Sequence, residues 1–250
     1  MEQGKVYPMA QCSLCGQAAS SPVGEKQGSV FVKCKACSLI RIEPHPTDKE
    51  LEVFYQNYVY TERVVNPRKK WLRFRLRVWL LRLLAPGRKF LDIGCNVGSM
   101  VSAAHAMGCD AVGIDVGPSA IAHAKKLWPD CRFYNETLET FTARGEKFDI
   151  VFCTEVIEHV RDLHGFMQAL TQVLNPHAIL FFTTPDSGHF RVSKTDLISW
   201  SELRPTEHLA IFNKANIQQL FKQHGFGSFS FVPMHRANLR FYTRYQSLTK

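Results

Sequence analysis

Four cysteines near the N-terminus form two identical short motifs. Two residues separate Cys12 from Cys15 and Cys34 from Cys37, and 18 residues lie between the pairs. Each short turn aims two sulfur atoms at one point, so the spacing is typical of a tetrahedral site with four thiolate ligands, and zinc is the favoured metal. Two disulfides or an iron–sulfur site are the alternatives. Four thiolates leave no open coordination position, so we expect a structural ion.

A second group of residues suited to chemistry lies in the segment 89–100, KFLDIGCNVGSM. An apolar run reaches Asp92 and is followed by Gly94 and Gly98, which allow a turn to approach a ligand closely. The spacing is G-x-x-x-G, whereas dinucleotide sites use G-x-G-x-x-G, and the Asp92 carboxylate would repel a pyrophosphate. The same carboxylate would attract an ammonium group. The loop therefore favours a cationic ligand.

Further polar candidates follow the later apolar runs. Asp115 lies 23 residues beyond Asp92, a distance at which an acid accepts hydrogen bonds from both hydroxyls of a ribose. His159 and His208 are candidate bases, and a glutamate directly precedes each of them. The alternative for each histidine is a packing or capping role.

Alternating strands and helices must position these residues. Apolar runs predict strands at 89–93, 111–115, 131–135, 148–153 and 178–184, and two closing strands at 226–232 and 239–245. Helical patterns occupy 98–108, 118–127, 162–174 and 214–224. Such a βαβ series predicts a buried parallel sheet with helices on both faces. Because these sheets bind ligands beyond the carboxyl ends of their strands, the polar candidates are expected to meet at one edge.

The composition fits a folded enzyme with one locally basic segment. The chain has 250 residues, of which 45% are apolar and 21% charged, with a net charge of +9. These proportions exclude a disordered or collagen-like chain. Seven of the basic residues and no acid lie in 66–84, so the rest of the chain holds 24 basic against 22 acidic residues.

The pattern of the basic segment 68–84 predicts a helix with two apolar arcs. One arc contains Leu72, Leu76, Trp79, Leu80 and Leu83, and the other contains Trp71, Phe74, Val78 and Leu81. We expect the helix to pack on the sheet on one side and under the ribbon or a lid on the other, with its arginines reaching outward. An RNA-binding or membrane-surface helix is the alternative.

The chain is expected to divide into three parts: a metal-binding ribbon at 1–45, a helical linker at 46–87 and a catalytic domain at 88–250. Thr47 and Glu50 form a capping-box pattern that predicts a short helix toward Tyr58. No apolar run is long enough to span a bilayer, and MEQGKVYPMA lacks the apolar core of a signal peptide, so we expect a cytoplasmic protein.

Several motifs together resemble the class I S-adenosylmethionine-dependent methyltransferases. They are FLDIGCNVGSM, AVGIDVGPSAIAHAKK, CRFYNETLETF, FDIVFCTEVIEHV and LRPTEHLAIFNKANIQQLFKQHGF. The cysteine segment, with CSLCG and VKCKACSLIRIEPHP, resembles the zinc-binding N-terminal module of some small-molecule and sugar methyltransferases of this class. The resemblance implies an α/β, Rossmann-like, mostly parallel seven-stranded sheet with helices on both faces, plus a small N-terminal zinc ribbon.

The resemblance also implies a cofactor site. Asp92, Gly94 and Gly98 would line the methionine part of S-adenosylmethionine, Asp115 the ribose, and Thr137 and Leu138 the adenine. The full set expected to bind the cofactor is Asp92, Gly94, Cys95, Asn96, Gly98, Asp115, Val116, Thr137, Leu138 and Thr154. Asn96 departs from the glycine usual in the family, but Asn tolerates a left-handed backbone better than other non-glycine residues.

By the same resemblance, His208 is the first choice of general base, Glu207 its helper and His159 a further catalytic candidate. The acceptor is expected to be a small molecule such as a sugar nucleotide, a glycan precursor or a natural-product intermediate, with O- or C-methylation favoured. The loop 185–207, with Phe190, Arg191 and Trp200, is expected to form its wall, and the arginines would suit an anionic acceptor. An RNA methyltransferase or RNA-binding protein that uses helix 68–82 is the alternative.

Overall fold

A computed structural model describes residues 10–47, 49–51, 53 and 67–246. In chain order, its strands are β1 (Ser20–Lys26), β2 (Ser29–Cys34), β3 (Ile40–Glu43), β4 (Lys89–Ile93), β5 (Asp110–Asp115), β6 (Arg132–Asn135), β7 (Phe148–Thr154), β8 (Leu174–Pro185), β9 (Ala210–Ile211), β10 (Phe226–Phe231) and β11 (Asn238–Tyr245). The helices are α1 (Pro67–Leu84), α2 (Ser99–Ala106), α3 (Pro118–Leu127), α4 (Leu138–Phe141), α5 (Leu163–Gln172) and α6 (Lys214–Gln223).

Seven strands form the central sheet in the order β10-β11-β8-β7-β4-β5-β6. The strands from β8 to β6 run parallel to their neighbours, whereas β11 is antiparallel to both β8 and β10. The predicted mostly parallel seven-stranded sheet is therefore confirmed. Strand β8 begins earlier than expected, at Leu174 instead of residue 178, because Leu174 already pairs with Phe148 of β7.

Helices cover both faces of this sheet, as predicted. Residues alternate along each strand, so Leu91 of β4 joins a buried cluster with α4, α5 and α6, while Phe90 joins a cluster with α1, α2 and α3. Fully parallel strands are buried on both faces, which explains why the strand sequences are almost continuously apolar. The two layers hold the carboxyl ends of β4, β5 and β7 at one edge of the sheet.

The N-terminal ribbon shares a sheet with the rest of the chain. Strands β1, β2 and β3 form an antiparallel meander, and β9 from the C-terminal half extends it as the fourth strand. Behind the meander, Arg41 is buried and bonded to Glu43 and Ser20. Leu14 and Leu39 of the ribbon belong to the same buried cluster as Leu91. The predicted segments 1–45 and 88–250 are thus joined by pairing and by packing.

Helix α1 agrees with the predicted span but not with the predicted cover. Val78 and Leu81 are buried against the sheet, and Phe74 packs beside them. The other apolar arc, which contains Leu72 and Leu76, is exposed. Among the described residues, neither the ribbon nor a lid covers this arc.

The linker shows the expected capping box. The Thr47 backbone and hydroxyl both donate to Glu50 Oε2 at 2.7 Å, and Glu50 N donates to Thr47 Oγ1 at 3.3 Å. The predicted continuation toward Tyr58 lies outside the described residues. No helix in the described ranges combines the length and the apolar character needed to cross a bilayer.

Candidate active site

A single cavity of about 960 Å³ opens at the carboxyl ends of β4, β5, β7 and β8. It collects nearly every residue predicted to bind a cofactor or to catalyse. Asp92, Gly94, Cys95, Asn96, Asp115, Val116, Thr137, Leu138, Thr154, His159, Glu207 and His208 all line it. The structure therefore brings residues from five separate chain segments to one site, although they are spread over more than 100 positions.

The turn after β4 is held in a left-handed backbone. Gly94, Asn96 and Gly98 have φ values of 73°, 50° and 72°, a region that glycine adopts freely and Asn tolerates. The expected tolerance at Asn96 is therefore observed. The backbone N–H groups of Gly94 and Cys95 both donate to Ile114 O at 2.9 Å, which fixes the turn against β5. The Asn96 Oδ1 atom is buried without a hydrogen-bond partner.

Gly98 is the exception among the predicted cofactor residues, because it does not line the cavity. A Cβ atom at this position would lie 2.4 Å from the Phe133 ring. At Gly94 an added Cβ would lie 2.5 Å from Val156 Cγ2. Neighbouring side chains thus require both glycines, independently of any ligand.

Asp92 and Asp115 place two carboxyl groups in the cavity. Asp92 is only 3% exposed, and burial, reinforced by the nearby Asp115 charge, raises its pKa well above the usual value. The Asp115 oxygens accept from Asn96 N at 2.9 Å and Gly117 N at 2.8 Å. Burial raises the pKa of Asp115, and these two bonds oppose the rise. Two close carboxyl groups in a shielded cavity create a site complementary to a cation.

The end of β6 contributes the next part of the wall. Asn135 Nδ2 donates to Asp115 O at 2.9 Å. Thr137 caps α4 by accepting from Thr140 N at 3.2 Å, and Leu138 is buried at the start of that helix. Thr137, Leu138 and Asp115 thus line the same cavity.

Two histidines meet on the opposite side of the cavity. His159 ends a 3-10 turn after β7, His208 directly precedes Leu209 and β9, and their ring centroids are 4.9 Å apart. His159 Nδ1 lies 2.7 Å from Glu207 O, and His208 Nδ1 lies 2.7 Å from Glu202 O. A carbonyl oxygen only accepts, so each Nδ1 carries the proton and each Nε2 keeps its lone pair.

Burial keeps both rings neutral. It lowers the pKa of His159 to about 4, with a further contribution from His208, and it also lowers the pKa of His208. Neutral imidazoles with a free Nε2 lone pair can accept a proton or bind a metal ion.

The glutamates beside these histidines differ in role. The Glu207 carboxylate pairs with Arg204 at 2.9 Å, and Glu207 reaches the histidine pair through its carbonyl group. The Glu158 side chain is completely buried, with Oε2 accepting from Thr184 and Oε1 without a partner. Burial raises its pKa well above the usual value.

Glu158, His159 and His208 form a potential metal site. They offer three ligand atoms that lie within 4.8 Å of one another. Two imidazole nitrogens and a carboxylate oxygen are ligands that divalent metals accept, and the cavity leaves room for other ligands. Sequence spacing did not reveal this set, because 48 residues separate its last two histidines.

Arginines form a third side of the cavity, which the sequence analysis missed. Arg77 of α1 lies over the Phe181 ring at 4.8 Å, and Arg240 of β11 also lines the cavity. Arg240 Nε is buried without a hydrogen-bond partner. Because β8 and β11 lie on the far side of β7 from β4 and β5, the basic and acidic sides of the cavity are separate.

The expected acceptor wall is wrong in its details. Phe190, Arg191 and Trp200 do not line the cavity. Phe190 is 79% exposed, and Trp200 packs on the ribbon cluster that contains Phe31. Only Arg204 and Glu207 of the 185–207 segment reach the cavity.

The four ribbon cysteines converge as predicted. Cys12 and Cys37 have their sulfur atoms 3.6 Å apart, as do Cys15 and Cys34, and all four sulfurs lie within 4.8 Å of one another. A tetrahedral ion with bonds of about 2.3 Å needs sulfur atoms about 3.8 Å apart, whereas a disulfide needs about 2.05 Å. The geometry fits one tetrahedral metal ion better than two disulfides.

The ribbon also contacts the histidine site. Arg41 and Ile40 of β3 pair with Ala210 and Ile211 of β9, and Leu209 N donates to Glu158 O at 2.7 Å. At the cysteine cluster, Asn216 Nδ2 donates to Cys37 O at 3.3 Å. His208 therefore stands at the start of a segment fixed by the ribbon.

Comparisons with known proteins agree with this geometry. A family model described as "Methyltransferase domain" matches residues 66–227. The ubiquinone biosynthesis O-methyltransferase of Azorhizobium caulinodans is 34% identical over 102 residues, which are 39% of this chain and 40% of that protein. The corresponding protein of Brucella ovis is 29% identical over 154 residues, which are 54% of this chain and 62% of that protein.

Solved structures share the fold. The magnesium protoporphyrin IX methyltransferase of Synechocystis PCC 6803 with bound SAH superimposes with a TM-score of 0.55 at 17% identity, over 79% of this chain and 94% of that one. At this identity the likeness concerns the fold alone. The chain matches about half of the length of the two curated relatives, 40% and 62% respectively.

Proposed function

This chain belongs to the methyltransferase-domain family whose model matches residues 66–227, and we propose that it transfers the methyl group of S-adenosylmethionine to a hydroxyl group of a small-molecule acceptor. The match confirms the resemblance to the class I methyltransferases that the motifs indicated. One observation carries the proposal. A single cavity has paired carboxyl groups on one side, a neutral histidine pair on another and arginines on a third.

The acidic side would hold the cofactor. Asp92 is placed to bind the ammonium group of the methionine part, and the free lone pairs of Asp115 to accept from the ribose hydroxyls. The apolar surface at Leu138 would cover the adenine. When bound, S-adenosylmethionine supplies an electrophilic methyl group on a sulfonium sulfur.

The histidine pair would act on the acceptor. The Nε2 atom of His208 or His159 would accept the proton of the acceptor hydroxyl as its oxygen takes the methyl group in line, while the carbon–sulfur bond of the cofactor breaks and S-adenosylhomocysteine leaves. The Nδ1–H bonds to Glu202 O and Glu207 O hold both rings in the required tautomer. Glu207 would thus support His159 through its backbone, while Arg204 neutralises its carboxylate.

A divalent cation on Glu158, His159 and His208 is the second way to activate the acceptor. The unpartnered Glu158 Oε1 favours it, because a buried carboxylate oxygen without a donor is costly unless a cation neutralises it. In this version Glu158, His159 and His208 would hold the ion, which would supply Lewis-acid chemistry to the acceptor hydroxyl. The two versions differ in their response to chelators.

The arginines favour an acceptor with an anionic group. Arg240 Nε lacks a partner and lies near Arg77, whose pKa is lowered by burial and then by the Arg240 charge. A carboxylate or phosphate on the acceptor would relieve this repulsion. The candidates remain sugar nucleotides, glycan precursors and natural-product intermediates. The curated relatives support O-methylation over C-methylation.

The ribbon would hold one structural zinc ion on Cys12, Cys15, Cys34 and Cys37. We also propose that the chain divides into the parts 1–45, 46–87 and 88–250, and that the protein is cytoplasmic. An RNA substrate is less well supported. Arg77 and Arg82 of helix α1 point into the protein, toward the Phe181 ring and Met107 O, so they are poorly placed for phosphates.

The test is a transfer assay with labelled S-adenosylmethionine and a panel of hydroxylated acceptors with and without a carboxylate or phosphate. We expect one added methyl group, seen by mass spectrometry, on an anionic acceptor. Arg240→Gln should raise KM for that acceptor and leave cofactor affinity unchanged, while the exposed Arg236→Gln serves as control. Lack of both transfer and cofactor binding would overturn the proposal.

A further inference from the structure

Helix α1 carries an exposed apolar surface on its outer side. We define the outer arc as Leu72, Leu76, Trp79, Leu80, Leu83 and Leu84, which are between 42% and 71% exposed. At 100° per residue these side chains fall within about 140° of one another on the helix. Single exposed apolar residues are ordinary, but a contiguous set marks an interaction surface.

Most of the exposed large apolar side chains of the described residues lie on this one helix. Among the described residues, ten large apolar side chains are exposed, and six of them belong to the outer arc. The inner side of α1 is fixed, since Val78 and Leu81 are fully buried against the sheet. In the described part of the chain, the burial of these two side chains therefore leaves the outer arc on the outer side of the helix.

Basic residues lie beside the outer arc. Residues 66–88 contain eight basic residues and no acid, and the side chains of Arg73 and Arg88 are exposed. A depression of about 350 Å³ at the C-terminal end of the helix is lined by Trp79, Arg82, Leu83 and Arg88 among others. Arg88, Trp79 and Leu83 thus place a cation and apolar groups on one wall, whereas Arg82 bonds Met107 O.

We propose that the outer arc of α1 binds the surface of a bilayer that contains anionic phospholipids. A helix that exposes Leu and Trp along one side and Arg beside them can lie in the plane of the interface, with the exposed apolar side chains among the acyl chains and the cations at the phosphates. The helix is about 27 Å long, from 18 residues at about 1.5 Å each.

Other partners fit this surface less well. A second copy would bring two basic arcs together, and like charges oppose such pairing. A nucleic acid would satisfy the arginines but would leave six large apolar side chains in water. An anionic bilayer would pair with the arginines and also remove the apolar side chains from water.

The helix is also adjacent to the active-site cavity. Phe74 and Arg77, on the inner side of α1, line that cavity. A bilayer against the outer arc would therefore lie one helix diameter, about 10 Å, from it. Acceptors that partition into membranes would be supplied next to the site, which extends the proposed function without depending on it.

The experiment is co-sedimentation of the full-length protein with vesicles of phosphatidylcholine alone or mixed with phosphatidylglycerol. We expect binding to the mixed vesicles, weakening as salt rises, and little binding to neutral vesicles. The double variants Leu76→Ser/Leu83→Ser and Arg73→Glu/Arg88→Glu should each lower the partition coefficient about tenfold or more.

Matched controls come from helix α3. Leu127→Ser and Lys125→Glu/Lys126→Glu change exposed residues of the same types elsewhere and should bind as the wild type does. Cofactor affinity and thermal unfolding of all variants check that the fold is intact. Failure of the wild type to bind mixed vesicles overturns the proposal. An equal loss of vesicle binding in the α3 control variants also overturns the proposal. The same holds if analytical sedimentation or titration with RNA shows that the outer arc binds a second copy of the chain or RNA instead.

Discussion

Ile211 pairs with Ile40 of the cysteine ribbon and lies three residues beyond His208. Ile42 of the same ribbon strand donates its N–H to Leu209 O at 3.2 Å, so the ribbon is also bonded to the residue that directly follows His208. Leu209 in turn donates its N–H to Glu158 O. A metal ion bound by the four cysteines would therefore affect the position of the His208 ring.

Loss of the ribbon metal should slow catalysis more than it weakens cofactor binding. Cys34→Ser removes one of four ligands, so the variant should lose its zinc and loosen β3 and β9. A displacement of His208 by about 1 Å is enough to lower kcat about 100-fold, whereas Asp92 and Asp115 lie on β4 and β5, and neither of these strands pairs with a ribbon strand. Metal analysis, steady-state kinetics and cofactor titration measure the three effects.

Cys109→Ser is the matched control, since this thiol is also buried but packs under α1, away from the ribbon. It should retain zinc and kcat. Purified wild-type protein without stoichiometric metal, or a Cys34→Ser enzyme of normal kcat, would contradict the proposed role of the ribbon.

The histidine pair should control turnover and not cofactor affinity. His208→Ala and His159→Ala should each lower kcat by about 100-fold to 10,000-fold, the range for loss of an acid–base group. S-adenosylmethionine should bind both variants as it binds the wild type. The exposed His105→Ala is the control, and a fully active His208→Ala enzyme would exclude His208 as base.

Chelation separates the two versions of acceptor activation. If Glu158, His159 and His208 hold a divalent cation, then EDTA should abolish turnover and added magnesium or manganese should restore it. If the histidines act as bases, turnover should be unchanged after an EDTA treatment too short to remove zinc from the four ribbon cysteines. The zinc content measured in parallel identifies which metal was lost.

The loop residues were predictable because local chemistry determines them. Gly94 and Asn96 have positive φ values, which few residue types tolerate. Asp115 is the last residue of the apolar strand β5, and Asp92 is the next-to-last residue of the apolar strand β4. Both sequences are typical of buried parallel strands. Strand ends of a parallel sheet meet at one edge, so the meeting of these acids followed from the pattern alone.

The acceptor side was not predictable for the opposite reason. Arg77 and Arg240 are 163 positions apart and have no motif in common. Strand β9 has only two residues, too few to show a pattern, so its pairing with the ribbon could not be foreseen. Trp200 seemed suited to a substrate wall, but its large apolar ring is used to cover the ribbon cluster instead.

Gly98 should be required for stability. Ala at this position adds strain from the left-handed backbone and a contact with Phe133, so we expect a loss of about 3 kcal/mol in the free energy of unfolding. Gly108 has a similar φ of 76° but open space around its Cβ position, so Gly108→Ala should cost only about 1 kcal/mol. Urea denaturation measures both, and equal losses would show that the Phe133 contact is irrelevant.

Cofactor affinity should rise with pH. Burial raises the pKa of Asp92 in the free protein, so the carboxyl group stays protonated to a higher pH than usual, and a cationic ligand binds its ionised form better. Binding should therefore release protons below the raised pKa, and affinity should level off above it. Calorimetry in buffers of different ionisation enthalpy detects the release, and Asp92→Asn should remove most of it.

Asp110→Asn is the control for this effect, because Asp110 is exposed and pairs with Arg132 away from the cavity. It should keep the pH dependence. An affinity that is flat with pH in the wild type would show that Asp92 does not meet a cation.

If Asp92 and Asp115 make this cavity a site for a sulfonium nucleoside, isothermal titration with S-adenosylmethionine should show it. We predict one molecule bound per chain, and a loss of about 100-fold in affinity for Asp115→Ala, because two charge-assisted hydrogen bonds are removed. Unchanged affinity in that variant, or binding of a nicotinamide dinucleotide in place of S-adenosylmethionine, would contradict the claim.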